Sequence, residues 1–91
     1  MRLRFYIDPV SEHPHIYGHH VTEAEVEEVL SKAWEDRPGR EDSRLAIGQT
    51  RSGRFLRVIY VPDPEPNSVF VITAYELGPK TLRALKKRRR K

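Results

Sequence analysis

Between Arg44 and Leu77 the chain runs RLAIGQT, turns at RSG, continues as RFLRVIYV, crosses a proline-rich loop and ends in VFVITAYEL. Runs rich in Val, Ile, Phe, Tyr and Thr, bounded by Gly, Pro and Asn, predict three β-strands. Their short connections predict antiparallel neighbours, because parallel pairing needs a crossover of about a dozen residues or more. In the middle strand, period two separates Arg54, Leu56, Val58 and Tyr60 from Phe55, Arg57, Ile59 and Val61. Both sets are largely apolar, as expected of a central strand covered on both faces. Arg57 then places a guanidinium where burial is costly unless it pairs or opens onto a cleft, and Glu76 on the next strand is its nearest candidate partner. The PDPEPNS loop is too rich in proline to extend the ladder.

Upstream, Arg2 to Ile7 alternates basic and apolar residues and predicts an edge strand beside this meander that leaves at Asp8-Pro9. Pro14 and Gly18 keep the following SEHPHIYGHHV segment out of a helix. Thr22 and Glu25 stand at the positions of a capping box, with Val21 and Val26 placed as a hydrophobic staple. Val26, Val29, Leu30 and Ala33 then recur at helical spacing and form a stripe to lay against the sheet. Trp34 is expected to close the core near the helix end, Asp36-Arg37-Pro38-Gly39 to stop the helix, and Arg40 to Ser43 to make a polar, mobile approach to the first meander strand. Gly78-Pro79 turns the chain into a short final helix over Thr81 to Lys87. The expected architecture is α+β, a small antiparallel sheet in the order β-α-β-β-β-α with one N-terminal helix packed on it and a short C-terminal helix. Residues 1–85 form the single domain, and residues 86–91 a basic, disordered tail.

Composition bounds what such a domain can do. At 91 residues with 37% hydrophobic and 33% charged, the chain belongs to the globular class with one modest core. No apolar run approaches the roughly 20 residues of a membrane helix, so no membrane partner is expected. The start, MRLRFYIDP, lacks the apolar stretch and small-residue cleavage site of a secretory signal. The absence of cysteine excludes disulfides and thiolate chemistry and fits a reducing compartment, so the cytoplasm is expected. Net charge is +4, but residues 1–43 hold five Lys/Arg against ten Asp/Glu, and residues 44–91 hold twelve against three. Much of the later excess is the terminal KKRRRK, which attracts nucleic acid through counterion release or serves as a solvated tail that aids solubility.

The candidate chemistry follows from this charge. Arg44, Arg51, Arg54 and Arg57 lie on or beside the sheet and predict an anionic ligand. Four histidines, His13, His15, His19 and His20, raise a metal site, but their spacing matches no strong zinc pattern and neither cysteine nor a helical HxxxH face accompanies them. No metal or other cofactor is expected. Surface or structural histidines, or a single acid/base or phosphate-binding one, are the alternatives. Glu23, Glu25, Glu27 and Glu28 read as a solvated helix start favoured by the helix dipole, and the Tyr75 hydroxyl as a satisfied core or rim group or a site group.

Three segments together carry a resemblance: H-x-V-T-x-x-E-V-x-x-V-L at His19 to Leu30, IGQTRSGR at Ile47 to Arg54 with the hydrophobic strand after it, and VFVITAY in the last strand. In combination they resemble the BrnT-type toxins and their relatives, within the RelE/ParE-like superfamily, over most of residues 15 to 77. Where that family often has a lysine before the histidine this chain has Gly18. The usual glycine after it is His20, and the arginine that often closes the last strand is Tyr75. The resemblance implies a helix-on-antiparallel-sheet domain, a cognate antitoxin protein that occludes the site, and metal-independent cleavage of RNA by 2′-hydroxyl attack. On that reading Arg44, Arg54 and Arg57 clamp phosphates, His15 or His19 moves protons, and Tyr75 stacks on a base or assists. Arg51, Lys86, Lys87, Arg88, Arg89, Arg90 and Lys91 add RNA binding. RNA, the antitoxin and a second copy of the chain are the expected partners. Two other readings stay open: a non-catalytic RNA- or protein-binding module on the same fold, and an oligomerising structural protein.

Overall fold

The computed structural model describes residues 1–89. A five-stranded sheet has the order β1-β5-β4-β3-β2, formed by β1 (Arg2–Phe5), β2 (Glu35–Pro38), β3 (Arg44–Gln49), β4 (Phe55–Pro62) and β5 (Ser68–Glu76). The predicted meander is β3-β4-β5, antiparallel throughout, with β4 at the centre. The α+β class holds, but the sheet is mixed, because β1 pairs with β5 in parallel, Arg2 opposite Ser68 and Phe5 opposite Val71. The rule that favours antiparallel pairing acts on strands joined by short loops. Most of the chain lies between β1 and β5, so it does not constrain that pair.

The fifth strand is β2, where the sequence predicts only a helix stop. Its residues EDRP are three charged side chains and a proline that lacks an N–H, a composition suited to an edge that must not recruit another chain. The loop behind it is a hydrogen-bonded turn rather than a mobile approach: Gly39 N–H donates to Ser43 O at 2.8 Å and Ser43 N–H to Arg40 O at 2.9 Å. Glu41 and Asp42 adopt φ of 51° and 64° to close it.

Helix α1 (Glu23–Ser31) starts with the predicted capping box, Glu25 N–H donating to Thr22 Oγ1 at 3.1 Å and Thr22 N–H to Glu25 Oε1 at 3.0 Å. Val26 and Val29 press onto Ala46, Leu56, Val58, Val71 and Ala74 of the sheet, with Val21 and Ile16 closing the cluster. Gly48 lets the helix approach: a Cβ there would stand 3.2 Å from Val29 Cγ1. Trp34 lies past the helix end and joins a second cluster on the opposite face, with Ile47, Phe55 and Leu77 under helix α2 (Pro79–Arg89). Leu85 of α2 is 0% exposed. Burying such a side chain contributes roughly 1.5–3 kcal/mol, and it anchors the helix.

Helix α2 corrects the expected disordered tail. Lys86, Lys87, Arg88 and Arg89 form its last turn, because Trp34, Phe55 and Glu35 offer partners that a sequence-local reading does not see. Arg90 and Lys91 lie outside the described residues. No helix among the described residues is long and apolar enough to cross a membrane.

Candidate functional site

Because β1 ends at Phe5, the second half of β5 is paired with β4 alone, and the histidine segment occupies its other edge. Tyr6 N–H donates to Val71 O at 2.8 Å, and His15 N–H to Tyr6 O at 2.9 Å, which ties the start of a 3₁₀-helix, His15–His19, to the sheet. Ile16, 1% exposed, plugs that turn into the core. His20 ends it in the left-handed region at φ 59°, its N–H donating to Tyr17 O at 3.0 Å. A glycine is favoured at such a position, and histidine tolerates it at a modest cost.

This scaffold draws four of the expected site residues into one line. His15 Nδ1 lies 3.2 Å from Asp8 Oδ2. The His15 and His19 rings meet edge to face at 5.3 Å, and the His19 ring meets Tyr75 at 5.9 Å. Arg57 Nη1 donates to the Tyr75 hydroxyl at 3.4 Å. Beside the histidines opens a hollow of about 430 Å³ lined by Asp8, Ser11, His13, His15, Tyr17, Gly18 and His19. Asp8 was missed by sequence reasoning, although its place before Pro9 is a turn signal: its carboxylate accepts from Val10 N–H at 2.8 Å. That backbone hydrogen bond, and next the His15 ring, hold the Asp8 carboxyl below its ordinary range.

Arg57 does not pair with Glu76. Its cross-strand neighbour is Tyr75, while Glu76 stands opposite Leu56. One residue along a strand reverses the face, so Glu76 points to the α1 side, where it accepts from Arg54 Nη2 at 3.3 Å. Arg57 is half-buried, and its Nε has no protein acceptor.

Arg54 departs from the expected site. Its Nη1 donates to both oxygens of Glu25 at 2.9 Å and to His20 O at 2.9 Å, stitching the start of α1 to the sheet. Burial works against the charge on Arg54, but Glu25 and then Glu76 outweigh it and raise the guanidinium above its ordinary value. Burial likewise works upward on Glu25, and the Thr22 N–H and Arg54 overcome it, so its carboxyl lies below the usual range. Arg44 is also ion-paired, its Nε donating to Asp36 Oδ1 at 2.8 Å. Asp36 in turn accepts from the Tyr60 hydroxyl. Burial first, and then this hydrogen bond, push the Tyr60 phenol up to about 12. Arg51 extends from the exposed turn after β3, where its backbone N–H reaches Glu28 Oε1 at 3.0 Å.

Three exposed cations of α2 lie against neighbouring groups. Arg88 donates to Glu35 at 2.8 and 2.9 Å, Arg89 lies 4.6 Å from the Trp34 ring centroid, and Lys86 lies 5.4 Å from that of Phe55. Lys87 is exposed. Among the described residues no group of three or more His, Cys, Asp or Glu side chains is arranged to hold a metal ion.

The family DUF4258, a domain of unknown function, matches residues 19–76, more than half of the chain. The chain belongs to this family. The DUF4258 segment carries His19, Arg57 and Tyr75, while Asp8, His15 and α2 lie outside it. No curated protein and no solved structure matched this DUF4258 chain.

Proposed function

We propose that the protein is a metal-independent endoribonuclease acting as the toxin of a type II toxin-antitoxin pair. The observation that carries the reading is the convergence of His15, His19, Tyr75 and Arg57 along the part of β5 that β1 leaves open. Cleavage by a ribose 2′-hydroxyl needs a base for its proton, an acid for the departing 5′-oxygen and a cation for the charge that builds on phosphorus. His15, whose ring the Asp8 carboxylate orients through Nδ1 at 3.2 Å, takes the 2′-hydroxyl proton. The 2′-oxygen then bonds to phosphorus as the bond to the 5′-oxygen breaks, and His19 protonates that oxygen. Products are a 2′,3′-cyclic phosphate and a 5′-hydroxyl. Arg57 stabilises the pentacoordinate phosphorus, and Tyr75 positions the guanidinium and offers its ring to a base.

The protein works in the cytoplasm on RNA, and its cognate antitoxin covers the histidine edge. Exposed Tyr6, Ile7, Val10 and Tyr17 around that edge supply apolar surface for such a partner. The alternative of a tail-driven RNA binder is less favoured, since Arg88, Arg89 and Lys86 are engaged with the sheet. In EDTA the purified protein is expected to cut single-stranded or ribosome-bound RNA to cyclic phosphate ends. His19→Ala and Arg57→Ala should each lower the rate about 100-fold or more while the circular dichroism spectrum is kept. Cutting only with added metal, or full activity in both variants, would refute the mechanism. Growth arrest on expression, relieved by the product of the neighbouring reading frame, tests the toxin assignment itself.

A further inference from the structure

One charge on the sheet has no counterpart among the described residues. The other arginines on strands each have a carboxylate close by: Arg2 has Glu65 at 3.8 Å, Arg4 has Asp63 at 2.6 Å, Arg37 has Glu35 at 2.7 Å and Arg44 has Asp36 at 2.8 Å. Arg57, on the central strand, has no carboxylate within 4.0 Å among the described residues, and its Nε is buried without a protein acceptor. The Tyr75 hydroxyl at 3.4 Å and its ring 6.0 Å away give this half-buried guanidinium partial compensation, and an anion from solution would supply the missing counter-charge.

The fold provides a place for one. Arg57 lines a hollow of about 190 Å³ between the outer face of β2, β3 and β4 and the start of α2. Its other walls are Glu35, Arg37, Leu45, Ile47, Thr81 and Arg88. Glu35 is shared, accepting from Arg37 at 2.7 Å and from Arg88 at 2.8 and 2.9 Å. One carboxylate therefore faces three guanidiniums, and the hollow is positive overall. Arg88 first, and then Arg37, draw the Glu35 carboxyl below its ordinary range against the effect of burial. Leu45 and Ile47 form an apolar wall that strengthens any charge interaction made there. A water takes about 30 Å³, so the space holds several waters or one tetrahedral oxyanion with its neighbours.

We propose that this hollow is an oxyanion-binding site for a phosphate group, with the Arg57 guanidinium as its central donor, Arg37 and Arg88 as flanking cations and the Thr81 hydroxyl as an additional donor. Planar guanidiniums match the paired oxygens of phosphate better than ammonium groups do. The hollow lies under α2 and shares Arg57, but neither His15 nor His19, with the proposed cleavage site. The phosphate belongs either to the free ion or to the end of a nucleotide.

Titration of the full chain with inorganic phosphate, followed through the arginine Nε–Hε resonances, tests this. Saturable movement of the Arg57 resonance is expected. Arg57→Gln should weaken binding about tenfold or more, and Arg88→Gln and Arg37→Gln severalfold each, whereas Arg40→Gln at the exposed turn before β3 should change nothing. Displacement of phosphate by thymidine 5′-monophosphate but not thymidine supports a nucleotide-borne phosphate, and failure of both to displace it supports the free ion. Non-saturable shifts, equal losses in the Arg40 and Arg57 variants, or displacement by thymidine would overturn the proposal. Should Arg57→Gln not fold, unchanged affinity in both Arg88→Gln and Arg37→Gln overturns it equally. Arg57 is common to this hollow and to the proposed cleavage site, whereas Arg37 and Arg88 belong to the hollow alone, so loss of phosphate binding in their variants with RNA cutting retained, or the converse, separates failure of this proposal from failure of the ribonuclease reading.

Discussion

Arg54 and Arg57 stand three residues apart, yet one is a structural tie and the other is left facing a hollow. Arg54 satisfies Glu25 and Glu76 from two different elements and is 26% exposed, against 18% for Glu25. Arg54→Ala leaves a largely buried carboxylate without its cation, a loss of about 2 kcal/mol of stability at neutral pH. The folded-state pKa of Glu25 is depressed, so this stabilisation is present above the unfolded carboxylate range and disappears as pH falls through the folded value. Urea unfolding of the wild type and variant is expected to separate at pH 7 and converge in acid. A constant gap would assign the effect to packing of the arginine stem. Per folded molecule, RNA cutting by Arg54→Ala should match the wild type. The histidines, Tyr75 and Arg57 are legible as candidates because their residue types stand out in the chain. Which arginine stays free is not legible, since it depends on where Glu25 lands after α1 docks.

At the scale of elements, period two and period 3.6 locate β3, β4, β5 and α1, and the capping box marks the start of α1 to the residue. The failures have a common cause. β2 and the last turn of α2 are held by cross-sheet partners, Ile47 and Ala46 for β2 and Trp34, Phe55 and Glu35 for α2, rather than by any pattern of their own. β1 is fixed similarly. It is short, and Arg4 clasps Asp63 in the loop after β4 with Nη2 2.6 Å from Oδ1. Hydrogen bonds from Arg4 first, and then Ser68, draw the Asp63 carboxyl down to about 2. An unfolded aspartate titrates near about 3.9, so the clasp contributes fully above that value and is lost as pH falls toward the folded one. Asp63→Asn should lower the melting temperature at pH 7, with the difference from wild type closing between about pH 4 and about pH 2. Hydrogen exchange at the β1 amides should rise in parallel, and exchange unchanged at β1 would place the clasp's effect in the loop alone.

Across the whole molecule, the opposite charges of the two halves are a folding device as much as a surface property. Glu25, Glu35 and Asp36 from the acidic half hold Arg54, Arg88 and Arg44 from the basic half, and Arg4 holds Asp63 in the other direction. A charge asymmetry along the sequence is legible, but whether it serves a partner or the chain itself depends on which side chains meet. The distinction is measurable on neighbouring residues of α2. Arg88 is engaged with Glu35, whereas Lys87 is exposed with no ion pair among the described residues. Arg88→Gln is expected to lower the melting temperature at about 0.05 M salt, with a gap that narrows toward about 1 M as the Debye length falls to about 3 Å. Lys87→Gln should leave the melting temperature alone. If the protein binds RNA as proposed, the Lys87 variant should reduce the logarithmic salt dependence of affinity for a non-cleavable strand by about 0.7, the share of one released counterion. Should both variants instead alter only the salt slope, Arg88 is a free cation in solution and the complementarity of the halves does not stabilise the fold.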